Sequence, residues 1–205
     1  GPIGWTIGQW VSEVVYAGLT GDFRWLFGLF FGTLYSPLVI TGLHHMSNAI
    51  DLQLIADFGG TNLWPMIALS NIAQGSAVLA IIFLHRGNEK EEQVSIPAAI
   101  SCYLGVTEPA MFGINIKYIY PFVAAMIGSG IAGLVATTFN VMANSIGVGG
   151  IPGFLSIQTD SMAMFIVCMA IAIVVPFLLT VLFEKKQLFA PKGEVEDAPV
   201  IQTQK

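Results

Sequence analysis

Four long apolar stretches constrain the fold of this chain more than any other feature of its sequence. They cover residues 25–43, 63–84, 118–140 and 162–183. Each has about 20 residues, the length that an α-helix needs to cross the hydrocarbon core of a bilayer. Only 10% of the 205 residues are charged and the mean hydropathy is +0.74, whereas a soluble domain carries about 25% charged residues. The sequence therefore predicts an all-α polytopic membrane protein.

A fifth apolar region, residues 96–116, is too irregular for a simple spanning helix. It contains Pro97, Glu108 and Pro109, and irregular backbone at membrane depth is tolerated only where protein or a cavity surrounds it. We predict a re-entrant hairpin here, and the mixed segment 44–62 is a candidate for a second one. The expected fold thus has about four to five transmembrane helices and one or two re-entrant hairpins.

The composition along the chain predicts three parts. Residues 1–24 form a partial or amphipathic segment, residues 25–186 a membrane domain, and residues 187–205 a polar, cytoplasmic tail. The start lacks both an initiating Met and the basic region of a signal peptide. We therefore expect the chain to be part of a longer protein.

The positions of the basic residues predict which loops share a side of the membrane. With a hairpin at 96–116, all 8 Lys and Arg residues fall on the side of residue 183 or in the tail. The predicted outer loops, 44–62 and 141–161, contain none. Because cytoplasmic loops are enriched in Lys and Arg, this pattern predicts a cytoplasmic C-terminus and argues against a full span at 96–116.

The strongest candidate for a functional side chain is the carboxylate of Glu108, within Thr107-Glu108-Pro109. A charge at membrane depth is costly to keep, which favours a functional role. The two carboxylate oxygens can accept hydrogen bonds from neighbouring hydroxyls, as a sugar presents them. The structural alternative is a carboxylate that pairs with Lys117 or is protonated and packed.

Two further pairs of polar residues lie in or beside predicted spans. His44 and His45 follow the first span, and an imidazole can exchange a hydrogen bond or a proton with a hydroxyl or bond to backbone carbonyls. Asn71 and Gln74 lie three residues apart and so share a helix face, where hydrogen bonds between helices are the alternative to ligand contact. No metal-ligand spacing is present, and we expect neither a metal nor a cofactor.

Other features are assigned structural roles. Asp51 and Asp57 are predicted to be solvated in a loop, and Trp64 to anchor a span at the membrane interface, with stacking on a sugar ring as its alternative. Small residues at helical spacing within 118–140 predict close helix packing. The glycine loop, residues 147–153, lacks the Lys-Ser/Thr of a phosphate loop, and we predict a flexible or tightly turned connection.

Two motifs give the chain a resemblance to a known family. They are Thr41-Gly-Leu-His-His45 and Gly105-Val-Thr-Glu-Pro-Ala-Met-Phe-Gly-Ile-Asn115. With them, residues 32–183 resemble the membrane IIC domain of bacterial phosphotransferase system sugar permeases of the glucose–sucrose superfamily, and are most similar to trehalose permeases. Leu34 and Tyr35 stand where the glucose and N-acetylglucosamine branch has Asn-Arg. Sucrose, maltose and β-glucoside permeases remain alternatives.

The resemblance implies an elevator-type permease of the bacterial cytoplasmic membrane, dimeric through a scaffold domain that precedes this part of the protein. Its implied partners are a disaccharide, a phosphorylated IIB domain, and the upstream IIA and HPr phosphocarriers. The substrate-binding residues implied by the motifs or proposed from the polar spans are Glu108, His44, His45, Thr107, Asn115, Asn71 and Gln74.

The resemblance also implies where the phosphate comes from. Neither Cys102 nor Cys168 matches the Cys-x-Pro-Thr-like motif of a IIB domain, so no catalytic residue is expected in this chain. The complete protein would be a protein-phosphohistidine–sugar phosphotransferase, and this part alone is predicted to be inactive. Two other functions stay open: an ion-coupled sugar transporter that uses Glu108 as the ion site, and a sugar sensor that does not transport.

Overall fold

The computed structural model describes residues 2–189, with residues 8, 11 and 12 described by their backbone alone. Within these residues every regular element is helical. The α-helices are α1 (Pro2–Thr20), α2 (Arg24–Ile40), α3 (His45–Phe58), α4 (Leu63–Leu84), α5 (Glu89–Tyr103), α6 (Glu108–Ala110), α7 (Ile116–Tyr118), α8 (Tyr120–Thr138) and α9 (Met162–Lys185). A π-helical segment, Met111–Asn115, joins α6 to α7, and two 3-10 turns, Ile151–Ser156 and Thr159–Ser161, precede α9. Most of the predicted tail, 187–205, lies outside the described residues.

Three of these helices, α4, α8 and α9, are long and apolar enough to cross a membrane. The last turns of α1 and the whole of α2 are long and apolar enough only when they are taken together. These two segments meet at a bend of 116°. The predicted all-α polytopic membrane fold is therefore confirmed, with three spans, or four if the bent pair is one span. The predicted span at 25–43 is shorter than expected because α2 ends at Ile40 and Gly42 has a φ of +77°.

A helical hairpin covers residues 89–118 and includes the predicted re-entrant region. Its first arm begins at Asn88, whose side chain caps α5 by accepting a hydrogen bond from the Glu91 N–H. The chain reverses direction after α5, where Gly105 has a φ of +98°, a conformation that favours glycine. The ends of the two arms meet, because the Tyr118 hydroxyl donates a hydrogen bond to Glu91. The hairpin starts before residue 96 because capping extends α5 into a charged segment that hydropathy excludes.

The small residues of α8 allow close contact with the neighbouring helix α2. Toward α2, the Ser129 hydroxyl donates a 2.7 Å hydrogen bond to the Gly32 carbonyl. A Cβ added to Gly133 would lie 2.5 Å from the Gly28 carbonyl oxygen, so the two backbones nearly touch. The predicted close packing of this span is confirmed.

At the end of the bundle where α4 finishes, five side chains form what we call the His85 cluster. His85 bridges two carboxylates: its Nδ1 lies 2.7 Å from Glu91 and its Nε2 lies 3.1 Å from Glu184. Tyr118 donates to Glu91, and Tyr120 donates to Glu184 over 3.1 Å. The cluster therefore fastens the base of the hairpin to α4, α8 and α9.

At the other end of α4, the loops that precede and follow the spans are paired. Thr61 and Ala143 exchange backbone hydrogen bonds of 3.0 and 2.8 Å, and Ala143 also forms a bridge with Ile157. The Asn62 side chain donates to Asn140. The loops predicted to be outside thus lie together, and the His85 cluster collects segments predicted to be inside, although the side that faces the cytoplasm stays a prediction.

Candidate functional site

A cavity of about 320 Å³ lies near the start of α4 and is lined by five separate segments. They are parts of residues 35–39, 44–48, 64–71, 104–108 and 147–149. These segments come from α2, the start of α3, α4, the turn of the hairpin and the glycine loop. Residues from both sequence motifs therefore line the cavity, although the motifs are far apart along the chain.

The two motifs meet through Glu108 and His44. Glu108 is the first residue of α6, directly after the turn of the hairpin. Its carboxylate oxygen lies 4.0 Å from His44 Nε2, which is close enough for attraction between charges but too long for a hydrogen bond. The Glu108 side chain is 50% exposed and that of His44 only 16%, so the carboxylate is free to accept hydrogen bonds from a ligand. Thr107, also in the lining, is buried.

The two histidines lie in the turn between α2 and α3, and both line the cavity. Their ring centroids are 4.0 Å apart. Partial burial lowers the pKa of His44 below its usual value, and the neighbouring His45 acts in the same direction, while Glu108 opposes them. A neutral imidazole is therefore favoured at neutral pH, and it can either donate or accept a hydrogen bond.

The deeper wall of the cavity combines an amide and two aromatic rings. Asn71 lies on α4, and Trp64 and Tyr35 lie near it on α4 and α2. All three are nearly fully buried, at 5% to 6% exposure. The sequence favoured an interface anchor for Trp64, but the structure places it in the cavity lining, with its indole N–H buried and without an acceptor among the described residues.

Gln74 and Asn115 lie outside the cavity lining and bond to each other. The Asn115 amide donates to the Gln74 side-chain oxygen over 2.6 Å, and the Gln74 amide donates to the Ser36 hydroxyl over 2.8 Å. Ser36 in turn lies 3.2 Å from Ser70. These side chains tie α2 and α4 to the π-helical segment, so Asn71 and Gln74, one helical turn apart, face different surroundings.

Asp51 is buried, which corrects the prediction that it is solvated. Its side chain has 0% exposure and accepts a 2.6 Å hydrogen bond from the Thr61 hydroxyl. Burial raises the pKa of Asp51 to about 7. Asp57, by contrast, is exposed and accepts a hydrogen bond from Gln53, so its predicted solvation is confirmed. Both residues lie in the helix α3 and not in a loop, which corrects that part of the prediction.

The sequence did not assign Tyr35, Asn48 or the glycine loop to the site. Tyr35 lies within a predicted span, where only its hydroxyl could have indicated a place in the cavity lining. The glycine loop stood out by composition, but nothing in its own sequence shows that it packs beside Glu108. Such contacts depend on segments that are distant along the chain.

The fold and the cavity define a polytopic membrane protein with an internal polar site at the turn of a helical hairpin. The family model described as "Phosphotransferase system, EIIC" matches residues 1–129, which include both motifs. The chain belongs to this family, and its predicted resemblance to a IIC domain is confirmed.

Curated relatives agree with this family. The chain is 56% identical over 180 residues to the trehalose-specific EIIBC component of the phosphotransferase system of Escherichia coli (strain K12), covering 88% of this chain and 38% of that protein. It is 49% identical over 178 residues to the trehalose-specific EIIBC component of Bacillus subtilis (strain 168), covering 86% and 37%. The sucrose-specific EIIBC component of Pasteurella multocida (strain Pm70) is 44% identical over 196 residues, covering 91% and 40%. The chain thus spans about two fifths of the length of these relatives. No solved structure gives a significant match.

Proposed function

We propose that the chain is the sugar-binding part of a phosphotransferase system permease and that its sugar is trehalose. The observation that carries this proposal is the meeting of Glu108 and His44 in one cavity. A cavity of about 320 Å³ is within the range of about 300–1,000 Å³ that holds small ligands.

The lining supplies complementary groups for a sugar. Glu108 accepts hydrogen bonds from two neighbouring hydroxyls, and a neutral His44 or His45 contacts the hydroxyl that is to be phosphorylated. Asn71 offers both a donor and an acceptor on the deep wall, and the ring of Trp64 offers an apolar surface. Asn115 and Gln74 support the position of α4 rather than touching the sugar, because they are bonded to each other.

The choice of trehalose rests on the relatives. Both trehalose-specific proteins are more similar to this chain than the sucrose-specific one, at 56% and 49% against 44% identity. Sucrose is the second candidate, because that difference is small and a few hydroxyl contacts decide which disaccharide is bound.

The phosphoryl group comes from outside this chain in our proposal. Both cysteines, Cys102 and Cys168, are fully buried, so neither thiol is accessible to a phosphate donor. A phosphocysteine on a IIB domain, charged through IIA and HPr, transfers its phosphoryl group to the sugar hydroxyl, and the S–P bond is replaced by an O–P bond. The sugar phosphate is anionic and cannot return through the cavity. A homodimer in the bacterial cytoplasmic membrane, with a cytoplasmic C-terminus, completes the proposal.

The test is phosphoenolpyruvate-dependent phosphorylation of labelled trehalose, sucrose, maltose and glucose. Membranes that express the full-length protein are supplied with the soluble phosphocarrier proteins. We expect trehalose phosphate, and we expect Glu108→Gln to lower the trehalose affinity roughly 100-fold, since each charge-assisted hydrogen bond contributes about 1.5–3 kcal/mol. Glu89→Gln is the matched control, because Glu89 is exposed at the opposite end of the same hairpin.

Each other outcome has a defined meaning. Phosphorylation of sucrose alone keeps the mechanism and corrects the sugar. Phosphorylation of trehalose by Glu108→Gln with the affinity of the wild type contradicts the site. A further outcome is that cells expressing the protein take up the sugar without phosphorylating it. If an uncoupler stops that uptake, Glu108 serves ion coupling and the permease mechanism is wrong.

A further inference from the structure

The glycine loop is a fixed part of the structure and not a loose connection. The residues that flank it are joined, because the Asn144 N–H donates a 2.8 Å hydrogen bond to the Ser156 carbonyl. The Gly153 N–H also donates to the Gly150 carbonyl within the loop. The loop is therefore tightly turned, as one of the two sequence predictions expected.

The backbone of this loop packs directly on the turn of the hairpin that carries Glu108. A Cβ added to Gly105 would lie 2.7 Å from the Gly149 nitrogen, and one added to Gly150 would collide with the Tyr103 carbonyl oxygen. A Cβ on Gly149 would collide with the Asn71 amide. Glycines thus allow the loop to reach the hairpin and α4 at van der Waals distance, and the loop becomes a wall of the cavity.

Three residues of this wall belong to the lining of the cavity. Gly147, Val148 and Gly149 line it, and of the three only Val148 carries a side chain. Val148 is 59% exposed although Gly149 beside it is buried. An exposed aliphatic group in a polar cavity gains free energy when a ligand covers it.

We propose that Val148 is a specificity-determining residue of the sugar site. Its two methyl groups pack against the C–H face of a sugar ring, while Glu108 and Asn71 take the hydroxyls. The rigid loop holds the methyl groups at a fixed distance from Glu108 and so limits the size of sugar that fits. This inference rests on the function proposed above.

The experiment uses the full-length protein and compares Val148→Ala and Val148→Phe with the same substitutions at Leu155. Leu155 lies just beyond the glycine loop, is 82% exposed, and is absent from the cavity lining. We expect Val148→Ala to raise the KM for trehalose about five- to tenfold with kcat nearly unchanged, because the lost methyl groups contact bound sugar. Unlabelled sugars can be tested as inhibitors of trehalose phosphorylation. In Val148→Phe we expect disaccharides to lose much more inhibitory strength than glucose, since the larger side chain reduces the space in the cavity. Val148→Ile is expected to restore a KM close to that of the wild type.

The inference is overturned if the wild type phosphorylates trehalose and the Val148 variants have the same KM for it as the Leu155 variants. It is also overturned if they lose affinity for all sugars equally together with thermal stability, which indicates a purely structural role. If the wild type phosphorylates sucrose instead, the same comparison with sucrose decides the role of Val148. A wild type that binds no sugar contradicts both the proposed function and this inference. An unchanged KM, or a joint loss of affinity and thermal stability, contradicts this inference alone.

Discussion

Replacing His85 with alanine should weaken the attachment of the hairpin to the rest of the bundle. In the structure, His85 lies within hydrogen-bond distance of two carboxylates, Glu91 and Glu184. When both ring nitrogens carry protons, each donates to one of them. The alanine variant leaves two acidic side chains near each other without the imidazole that bridges them.

The size of the effect follows from how exposed the three groups are. A hydrogen bond to a charged group contributes about 1.5–3 kcal/mol, and surface exposure reduces this value. The side chains of His85 and Glu184 are 23% and 28% exposed, whereas that of Glu91 is only 8% exposed. Taking the low end for each bond, we expect a loss of about 3 kcal/mol. For a domain of this size, that loss lowers the Tm by roughly 6–12 °C.

The assay is thermal unfolding of the full-length protein in detergent, followed by tryptophan fluorescence. His85→Gln should lose about half as much as His85→Ala, because one amide group can donate to only one of the carboxylates in this geometry. Arg86→Ala is the control, since Arg86 is the exposed neighbour of His85. A Tm for His85→Ala within about 2 °C of the Arg86→Ala value, which corresponds to less than about 1 kcal/mol, refutes the reasoning.

Two further predictions concern the site and the helix packing. Because burial lowers the pKa of His44, trehalose affinity should be constant near neutral pH and decrease on acidification, as protonated His44 pairs with Glu108 at 4.0 Å and competes with the sugar. His44→Gln should remove this decrease in a binding titration. Asp51, whose pKa is raised to about 7 by burial, does not line the cavity, so we expect no effect of its titration on affinity. Gly133→Leu should lower the Tm by several degrees, since overpacking costs about 1–3 kcal/mol, whereas Gly4→Leu, with nothing within 4 Å of its Cβ position, should not.

The parts of the fold that depend on local sequence could be predicted. The spans α4 and α9 have almost the predicted bounds, because continuous apolar length determines whether a segment crosses a bilayer. The boundary between α1 and α2 was placed at residue 24, but the bend of 116° was not predicted, because Gly21 and Asp22 favour a turn without determining its angle. The start of the hairpin was placed too late, because hydropathy does not register the capping of α5 by Asn88.

The cavity residues that were predicted from the sequence lie in the two motifs, apart from Asn71, whose polar side chain within a span marked it. Glu108 and His44 were identified from their motifs, and the structure brings them together. The burial of Asp51 depends on Thr61, and the role of the glycine loop depends on contacts with Gly105 and Asn71. None of these contacts is visible in the sequence around the residue concerned, because they join segments that the fold alone brings close.

The hairpin is held at both of its ends, and this limits how the site can move in the permease proposed above. At its base, the His85 cluster joins it to α4, α8 and α9. At its turn, Gly105 lies directly against the backbone of Gly149. A motion of the hairpin relative to both α4 and the glycine loop would have to break both attachments. For the transport cycle proposed above, it follows that the hairpin, the glycine loop and α4 carry the sugar as one body, so the His85 variants should impair transport by loosening that body without changing any group that touches the sugar.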